Sequence, residues 1–388
     1  MATGGEVTMW SNEYGAAVMI RQGECRKAVV LIVVVYIVAA FSMLAFALAF
    51  RSRITIKEAQ LLTERLQQDQ IALAACAQAR SILEADDYKL DCLEEPWFGW
   101  HKLIPAETAG QSISPDESLW QVNWRLVDES AKINVNLAPA DLLLEFECLD
   151  EAAVASIMDW IDEDDVPNPD GAENDYYSGL ENAYSCKNRP IDNIEELLLV
   201  KGISLEIYYG YNLAEGDNYL SETSEFVDDI PRNSAAGLCD LLTVYGDGKI
   251  NINTAPKQVL DAIPMLSDTA LSEIISMQKG TSRKFNSMDD IQKNENFNAA
   301  DMLLLAQIAK FNSNHFQLQI KVRKKGRPFW CEYTAIIERQ EKSTRILSWQ
   351  RKSRSLIKNV THLIIGGDEN VYPQGESNAL FQSTAEGK

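Results

Sequence analysis

The sequence has few of the residues that form metal centres and catalytic sites. Its 388 residues include three histidines and seven cysteines, and no two cysteines form a CxxC pair. Structural zinc sites need Cys or His ligands at short, regular spacings, so a zinc centre is disfavoured. A nucleophile–base pattern, a glycine-rich phosphate loop and a His-based metal set are also missing. We therefore expect a protein that is not an enzyme.

Charge is absent from residues 28–50, which form the apolar run AVVLIVVVYIVAAFSMLAFALAF. Roughly 20 apolar residues cross the hydrocarbon core as a helix, whereas a secretory signal has an apolar region of only about 7–15 residues. The run therefore predicts a transmembrane helix. Basic residues on both flanks leave the orientation open. The short leader has few acidic residues and favours a cytoplasmic N-terminus, which would place the remaining chain outside the cytoplasm.

Glycine and proline are both absent from residues 51–87, where apolar residues form an imperfect stripe among polar ones. The membrane helix and this amphipathic segment are predicted to form one continuous helix over about residues 28–84. Pro96, Gly99 and Pro105 then mark the irregular stretch that follows.

Charge of one sign dominates the middle of the chain. Residues 136–309 contain 33 Asp and Glu against 10 Lys and Arg, a net charge of 10 − 33 = −23, whereas residues 310–359 contain 13 basic and 3 acidic residues, or +10. An acidic body repels nucleic acid and suits cations or basic protein surfaces. The alternative is a solvated acidic surface without a ligand.

Two groups of alternating residues predict strands that are far apart in sequence. LWQVNWRLVDES at residues 119–130 forms the first group, and residues 315–352 form the second. Neither group has enough partners on its own, since isolated pairs of strands are barely stable. We therefore expect one sheet built from both groups, with a separate domain inserted between them.

A nine-residue motif occurs twice, as AKINVNLAP at residues 131–139 and GKININTAP at residues 248–256. The similarity continues without gaps at an offset of 117 residues, and further on IDNIEELL matches FNSMDDIQ at an offset of 94. The difference of 117 − 94 = 23 residues is an insertion in the first copy. The middle of the chain is therefore a duplicated helical module, and Asn136 and Asn253 are interpreted as caps of the helices that follow.

The two modules resemble the helix-hairpin-helix family, many of whose members bind DNA through a glycine hairpin. The first hairpins here, FECLDEA and IPMLSDTA, lack glycine, and only LVKGIS keeps one, Gly202. Backbone amides of such a hairpin need close approach to phosphates. With an acidic module around them, binding of nucleic acid is disfavoured and stays the second hypothesis.

The insertion falls in DWIDEDDVPNPDGAENDYY, at residues 159–177. Residues 159–175 contain eight acids and no base, and the two prolines and the glycine keep carbonyl groups out of helical hydrogen bonds. Calcium takes six to eight oxygen ligands in flexible geometry, so this loop is a candidate calcium site, although its spacing does not fit an EF-hand. Cys148 and Cys186 bracket the loop and are the candidate disulfide, with buried free thiols as the alternative.

The long apolar helix, LVDESAKINVN, MDWIDEDDVPNPDGAENDYY and KNRPIDNIEELLLVKGIS together resemble the K-type minor pseudopilins of the bacterial type II, or general, secretion pathway. The resemblance implies an α+β fold, in which a pilin-like long N-terminal helix packs on an antiparallel sheet and a large all-α domain of two helix-hairpin-helix-like (SAM-like) repeats is inserted. It also implies calcium at the acidic loop, with these candidate ligands: Asp162, Asp164, Asp165, Asp170, Glu173 and Asp175.

The expected organisation follows from combining these observations. We expect a leader at 1–23, the transmembrane part of the helix at 24–50, a pilin-like domain from 51–135 and 310–365, the insert at 136–309 with repeats at about 131–215 and 248–309, and a disordered tail at 366–388. The resemblance implies cleavage by a prepilin peptidase between Gly23 and Glu24 and methylation of the new N-terminus. Here Gly23 is followed by charged residues before the apolar run, which departs from the family pattern.

The resemblance also implies a role. The K-type subunit caps the tip of a periplasmic pseudopilus in complex with I- and J-type minor pseudopilins, on an inner-membrane secretion platform, and supports protein export. Such subunits lack the glutamate at the fifth mature position, which is Ala28 here. The expected location is the inner membrane, with a single pass and most of the chain in the periplasm. The alternative function is a membrane-anchored DNA receptor of the competence type.

Overall fold

The structure of the protein is a computed structural model that describes residues 22–103, 119–210, 236–280, 284–327 and 330–353. Most of the expected leader and the whole expected tail at 366–388 lie outside these residues. The chain divides into two compact units, one ending at Gln70 and the other beginning at Ile71.

The first helix, α1, spans Gln22–Ala85. The prediction of one continuous helix across the apolar run and the amphipathic segment is therefore confirmed. By length and composition, this is a helix that could cross a membrane. From Val29 to Phe50 the side chains are exposed, as expected for a segment whose solvent is lipid.

The remaining elements are short, apart from three long strands near the end. Beyond α1 the α-helices are α2 (Ala140–Leu144), α3 (Glu151–Ile161), α4 (Asn174–Ser178), α5 (Leu205–Tyr209), α6 (Leu238–Leu241), α7 (Lys257–Asp261), α8 (Asp268–Lys279), α9 (Met288–Gln292) and α10 (Ala299–Ile308). The strands are β1 (Trp100–Lys102), β2 (Trp120–Asp128), β3 (Ile133–Asn134), β4 (Leu242–Thr243), β5 (Ile250–Asn251), β6 (Ala309–Lys310), β7 (His315–Lys324), β8 (Cys331–Gln340) and β9 (Ser343–Ser353). Two 3₁₀ helices lie at Glu129–Ala131 and Ile194–Leu199.

One five-stranded antiparallel sheet contains both groups of predicted strands, in the order β1-β2-β7-β8-β9. Strand β2 pairs directly with β7, from Trp120 opposite Lys324 to Asp128 opposite Phe316. The chain therefore leaves the sheet at the end of β2 and re-enters it at the start of the neighbouring strand, β7. The expected split sheet with an insertion is confirmed.

The C-terminal part of α1 packs on the inner face of this sheet. Small helical residues, Ala72, Ala75 and Ala79, are fully buried there. They form one apolar cluster with Phe316 and Leu318 of β7. Small side chains let the helix backbone approach the strands closely, so the larger strand residues fill the core.

A second apolar cluster holds the inserted residues together. Its buried members run from Ile133 to Ala309 and belong to elements between β2 and β7. They share no residue with the cluster under the sheet. The insert thus has its own hydrophobic core, the property that defines a separate domain.

The two copies of the sequence motif have the same local structure. β3, α2 and α3 begin at residues 133, 140 and 151, and β5, α7 and α8 begin 117 residues later at 250, 257 and 268. The 3₁₀ helix at Ile194–Leu199 and α5 have their counterparts, α9 and α10, at an offset of 94. In each copy the first short strand pairs in parallel with a strand that follows the copy, β3 with β4 and β5 with β6. We call the two copies repeat one and repeat two.

The asparagines of the repeated motif do not cap helices, which corrects the interpretation from sequence. The N-cap positions of α2 and α7 are Pro139 and Pro256, without a side-chain hydrogen bond. Instead, Asn136 receives the backbone N–H of Ile191 (2.7 Å) and donates to its carbonyl (2.9 Å). Asn253 makes the same pair of bonds with Phe285, at 3.0 and 2.9 Å. Each asparagine replaces a strand partner for a distant segment, which sequence spacing alone does not reveal.

Candidate functional site: the acidic loop of repeat one

The acidic loop lies between the end of α3 and the 3₁₀ helix at Ile194–Leu199. In repeat two the equivalent connection runs only from Lys279 to Met288. The loop is therefore the insertion that the two offsets predict, and it is supported at both ends by elements that repeat two also has.

Asp159, in the last turn of α3, organises the loop from beneath. It is fully buried. One carboxylate oxygen accepts the backbone and side-chain N–H groups of Asn168, at 3.0 and 2.6 Å, and the other accepts the backbone N–H of Ala172 at 2.6 Å. A Cβ at Gly171 would lie 2.0 Å from Asp159 Oδ2, so the loop backbone reaches this carboxylate only because residue 171 is glycine.

Four buried oxygen atoms next to this scaffold have no hydrogen-bond partner among the described residues. They are Asp162 Oδ1, both carboxylate oxygens of Glu173, and Asn188 Oδ1. Asp159, Asp162 and Glu173 each offer an oxygen within 4.8 Å of the others. Buried polar atoms are nearly always satisfied in folded proteins. Oxygen atoms without donors, contributed by two acids and one asparagine beside the buried Asp159 carboxylate, fit a hard divalent cation such as calcium.

The electrostatics of the cluster point the same way. Burial, followed by repulsion from Asp159 and Asp162, raises the pKa of Glu173 to about 6. Burial, followed by repulsion from Asp164 and Asp159, also raises the pKa of Asp162. Packing these carboxylates together is costly unless positive charge balances them.

The structure brings together two of the six candidate ligands, Asp162 and Glu173. The other four are exposed: Asp164, Asp165, Asp170 and Asp175. Asp164 Oδ1 accepts the backbone N–H of Val166 (2.8 Å), and Asp165 Oδ1 accepts Asn188 Nδ2 (3.1 Å).

Sequence reasoning missed Asp159 and Asn188 as members of the cluster. Asp159 stood at the edge of the acidic run but looked like an ordinary helix residue. Asn188 lies in the KNRP segment that carried the family resemblance, so the resemblance was the one available indication of its role.

Two further contacts fix the loop without any ion. Lys201 Nζ donates to the carbonyl oxygens of Asp170 and Gly171, both at 3.0 Å. Asn188 Nδ2 donates to the carbonyl oxygen of Asp164 at 2.6 Å. The backbone is thus held from both sides, so the oxygen cluster is largely formed in advance.

Cys148 and Cys186 are free thiols in the structure, so the candidate disulfide is not formed here. The Cys186 sulfur lies 3.8 Å from the carbonyl oxygen of Asp159, under the acidic loop. Burial raises the pKa of the Cys186 thiol to about 11. Cys148 precedes α3 and packs at the edge of the insert core.

Gly202 has a packing role. Its φ of +87° lies in the left-handed region, and a Cβ there would approach the Ala153 Cβ to 3.2 Å. The glycine therefore serves a tight turn against α3. This local explanation removes the remaining sequence feature that favoured binding of nucleic acid.

Comparisons with known proteins agree with this architecture. Residues 129–212 match the family model described as type II secretion system (T2SS), protein K. Type II secretion system protein K of Pectobacterium carotovorum subsp. carotovorum is 40% identical over 58 residues, which are 15% of this chain and 18% of that protein. The protein of the same name from Klebsiella pneumoniae is 26% identical over 197 residues, 47% of this chain and 60% of that protein. The alignments thus span less than two thirds of the length of either relative.

A solved structure shares the fold. A chain in the crystal structure of the GspK-GspI-GspJ complex from the enterotoxigenic Escherichia coli type 2 secretion system superimposes with a TM-score of 0.54 and 17% identity. The match covers 76% of this chain and 99% of that chain.

The fold is of the α+β class and combines a long N-terminal helix with an antiparallel sheet, into which two helical repeats are inserted. The chain is therefore similar to type II secretion system protein K, through the family-model match over residues 129–212 and through the shared fold, and this similarity agrees with the sequence motifs that resemble K-type minor pseudopilins. The comparisons give no support to the DNA-receptor alternative.

Proposed function

We propose that this protein is a structural minor pseudopilin that caps the tip of a pseudopilus and supports protein export by type II secretion. The observation that carries the proposal is the insertion of a whole domain between two adjacent strands of a pilin-like sheet. The fold shared with a chain of the GspK-GspI-GspJ complex supports I- and J-type minor pseudopilins as partners. A structural role also agrees with a sequence in which no catalytic constellation was found.

The proposal places the chain in the inner membrane with one pass, and with the sheet and insert in the periplasm. The apolar part of α1 would be the anchor. Recruitment by the inner-membrane secretion platform, cleavage by prepilin peptidase between Gly23 and Glu24, and methylation of the new N-terminus belong to the same proposal. Mass spectrometry of the mature N-terminus tests the processing, and an intact leader would contradict it.

Complex formation tests the tip role directly. The full chain is co-expressed with the I- and J-type minor pseudopilins of the same bacterium, extracted in mild detergent and separated by size. We expect one complex that contains all three proteins. Co-expression with each partner alone is the control. Elution of this chain apart from both partners, together with unchanged export when its gene is deleted, would overturn the proposal.

We further propose that the acidic loop binds calcium. Asp159, Asp162 and Glu173 would supply carboxylate oxygens and Asn188 an amide oxygen, and the support for this is the set of buried oxygens without donors. When bound, the ion would supply the positive charge that these carboxylates need. Carbonyls of the loop and water would complete the six to eight ligands that calcium prefers.

Equilibrium dialysis of the full chain with calcium tests this site. Glu173→Gln keeps the size of the side chain but removes its charge, so we expect calcium binding to weaken at least tenfold, since a charged ligand contributes more than one kcal/mol. Glu181→Gln, an exposed acid just beyond α4, is the matched control and should bind as the unchanged protein does. Equal calcium binding by the two variants would contradict the site.

A further inference from the structure

The outer face of the five-stranded sheet carries a concentration of cations. Strand alternation buries one side of β2 and β7 and leaves the other side partly exposed. The registers place Lys102, Asn123, Lys321, Glu332 and Lys352 in one row across the outer face, and Trp100, Arg125 and Gln319 in the next. Arg323, opposite Gln121, lies in the row beyond Lys321. These rows hold five basic side chains and one acid, against the acidic excess of the insert.

Trp100 lies at the centre of this group. The Arg125 guanidinium is 4.9 Å from the centre of its ring, and the Lys321 ammonium is 4.8 Å from it. Arg323 makes a similar contact with Trp330, at 4.4 Å. Cations held over aromatic rings keep their position better than long side chains in water, so less entropy is lost when a ligand binds. We call Trp100, Lys102, Arg125, Lys321 and Arg323 the basic sheet face.

The polar groups at the centre of this face are hydrogen-bond donors. The Trp100 indole nitrogen is buried and has no hydrogen-bond partner among the described residues. An indole N–H, a guanidinium and an ammonium can only donate, so they are complementary to an acceptor that carries negative charge. Two polar neighbours, Gln121 and Gln319, already accept from Arg323 and Arg125 and thereby orient those guanidinium groups.

We propose that the basic sheet face is a docking surface for a carboxylate-rich protein segment, in which an acidic side chain reaches the Trp100 indole N–H between Arg125 and Lys321. Charge complementarity and the Trp–Arg composition, which is enriched in the centres of protein interfaces, favour a protein over a nucleic acid. The proposal does not depend on calcium in the acidic loop, because none of the residues of the basic sheet face belongs to that loop.

The test uses the full chain in neutral detergent, with EDTA present, and a fluorescent peptide of about ten glutamates as the probe. Fluorescence anisotropy measures the dissociation constant. Lys321→Gln should weaken binding about three- to fivefold, as removal of one partly exposed charged contact does. Trp100→Phe, which keeps a ring but deletes the N–H, should weaken binding about threefold. Lys257→Gln, an exposed lysine of repeat two, is the matched control and should change nothing.

Several results would overturn the proposal. If Lys257→Gln weakened binding as much as Lys321→Gln, the glutamate peptide would be responding to the overall charge of the protein. A glutamine peptide that binds as tightly as the glutamate peptide would remove the role of the carboxylates, and tighter binding of duplex DNA of equal charge would assign the surface to phosphates. Unchanged binding in both Lys321→Gln and Trp100→Phe would place the acidic probe elsewhere. Since Lys321→Gln alters a partly exposed side chain, this variant stays informative if Trp100→Phe fails to fold.

Discussion

Repeat one and repeat two share the relative starting positions of their helices, but within the described residues a buried cluster of unpartnered oxygens is found in repeat one alone. Repeat two joins α8 to α9 by a short connection, and the position that corresponds to Asp159 is Ser276. Its core closes nonetheless, with Ile274 and Ile291 fully buried. The repeat therefore folds without an acidic loop, so the loop of repeat one is an addition to the scaffold and not a requirement of its fold.

The two repeats also differ in how they are anchored at their first asparagine. Asn134 donates to the carbonyl oxygens of Tyr245 and Gly246, within the insert. Asn251 donates to Ser313 Oγ (2.8 Å) and to the carbonyl oxygen of Asp91 (3.3 Å). Repeat two is thus tied to the loop that follows α1, in a buried network that includes acids, whereas repeat one is not.

The largest expected loss of stability comes from substituting the asparagine that holds a distant segment in both repeats. Asn253→Ala removes both bonds to Phe285 and leaves a buried N–H and a buried carbonyl without partners, which should lower the free energy of unfolding by about 2–4 kcal/mol. Asn136→Ala should act in the same direction but less, because Asn136 is partly exposed. Urea unfolding followed by circular dichroism measures both. Asn296→Ala, at an exposed position, is the control, and a loss in Asn253→Ala no larger than in this control would refute the shared role.

Calcium binding, which we expect in repeat one and not in repeat two, should have a somewhat smaller effect on the free energy of unfolding. At a calcium concentration about 100 times the dissociation constant, binding to the native state alone adds about 2.7 kcal/mol. We expect EDTA to lower the melting temperature of the full chain and Glu173→Gln to remove this response. Glu295→Gln, an exposed acid of repeat two, should keep the response. A melting temperature that changes neither with added calcium nor with EDTA would show that the loop is only a solvated acidic segment.

The anchoring of repeat two should contribute to the pH dependence of stability, in addition to the raised pKa of Glu173 in repeat one. Burial, opposed by the Arg339 guanidinium and reinforced by Asp128, raises the pKa of Asp91 to about 8. Burial also raises the pKa of Asp128. A carboxyl whose pKa is higher in the folded state than the usual value of about 4 binds its proton more tightly when folded. Its contribution to stability is therefore complete below about pH 4 and is lost as the pH rises through about 8.

The measurement is the melting temperature between pH 5 and pH 9, which this carboxyl should lower as the pH rises. Asp91→Asn should reduce the slope, since asparagine does not titrate. Glu295→Gln should leave the slope as it is. An Asp91→Asn slope as steep as that of the unchanged protein would show that the titrating group lies elsewhere.

The smallest effect is expected where repeat one touches the sheet. Lys352 of β9 forms an ion pair with Glu195 at 2.6 Å, and both side chains are partly exposed. Exposed pairs of this kind contribute about 0.2–1 kcal/mol. A double-mutant cycle with Lys352→Gln and Glu195→Gln should give a coupling energy in that range, falling with salt. Coupling well above it would mean that repeat one is fastened to the sheet more firmly than its contacts suggest.

The sequence predicted those parts of the fold that follow from periodicity and spacing. Alternation in residues 119–130 and 315–352 predicted the split sheet, and the two offsets predicted a duplicated helical module with an insertion in its first copy. These features depend on local patterns and on matching one segment with another, both of which are visible in a sequence.

The orientation of side chains was not predictable in the same way. Asn136 and Asn253 suited a helix cap by position, yet their partners lie 55 and 32 residues away. In the acidic loop the number of acids suggested a cation site, but the sequence could not separate the half-buried Asp162 and the buried Glu173 from their exposed neighbours. Which acids are buried depends on two features of the backbone: α3 ends just before Asp162, and the loop approaches Asp159 closely at Gly171.

The pairing of Asp128 with Phe316 has a consequence for how such a protein could arise. Directly opposed residues of antiparallel strands lie only about 5 Å apart. The two ends of the 187-residue segment between them therefore meet at what would otherwise be a plain hairpin. A single in-frame acquisition of coding sequence at that turn, with no rearrangement of the strands on either side, would suffice to convert a protein with a plain hairpin there into this one. The reverse excision, closed by a short turn, is the corresponding route to a minimal ancestor that could be built and compared.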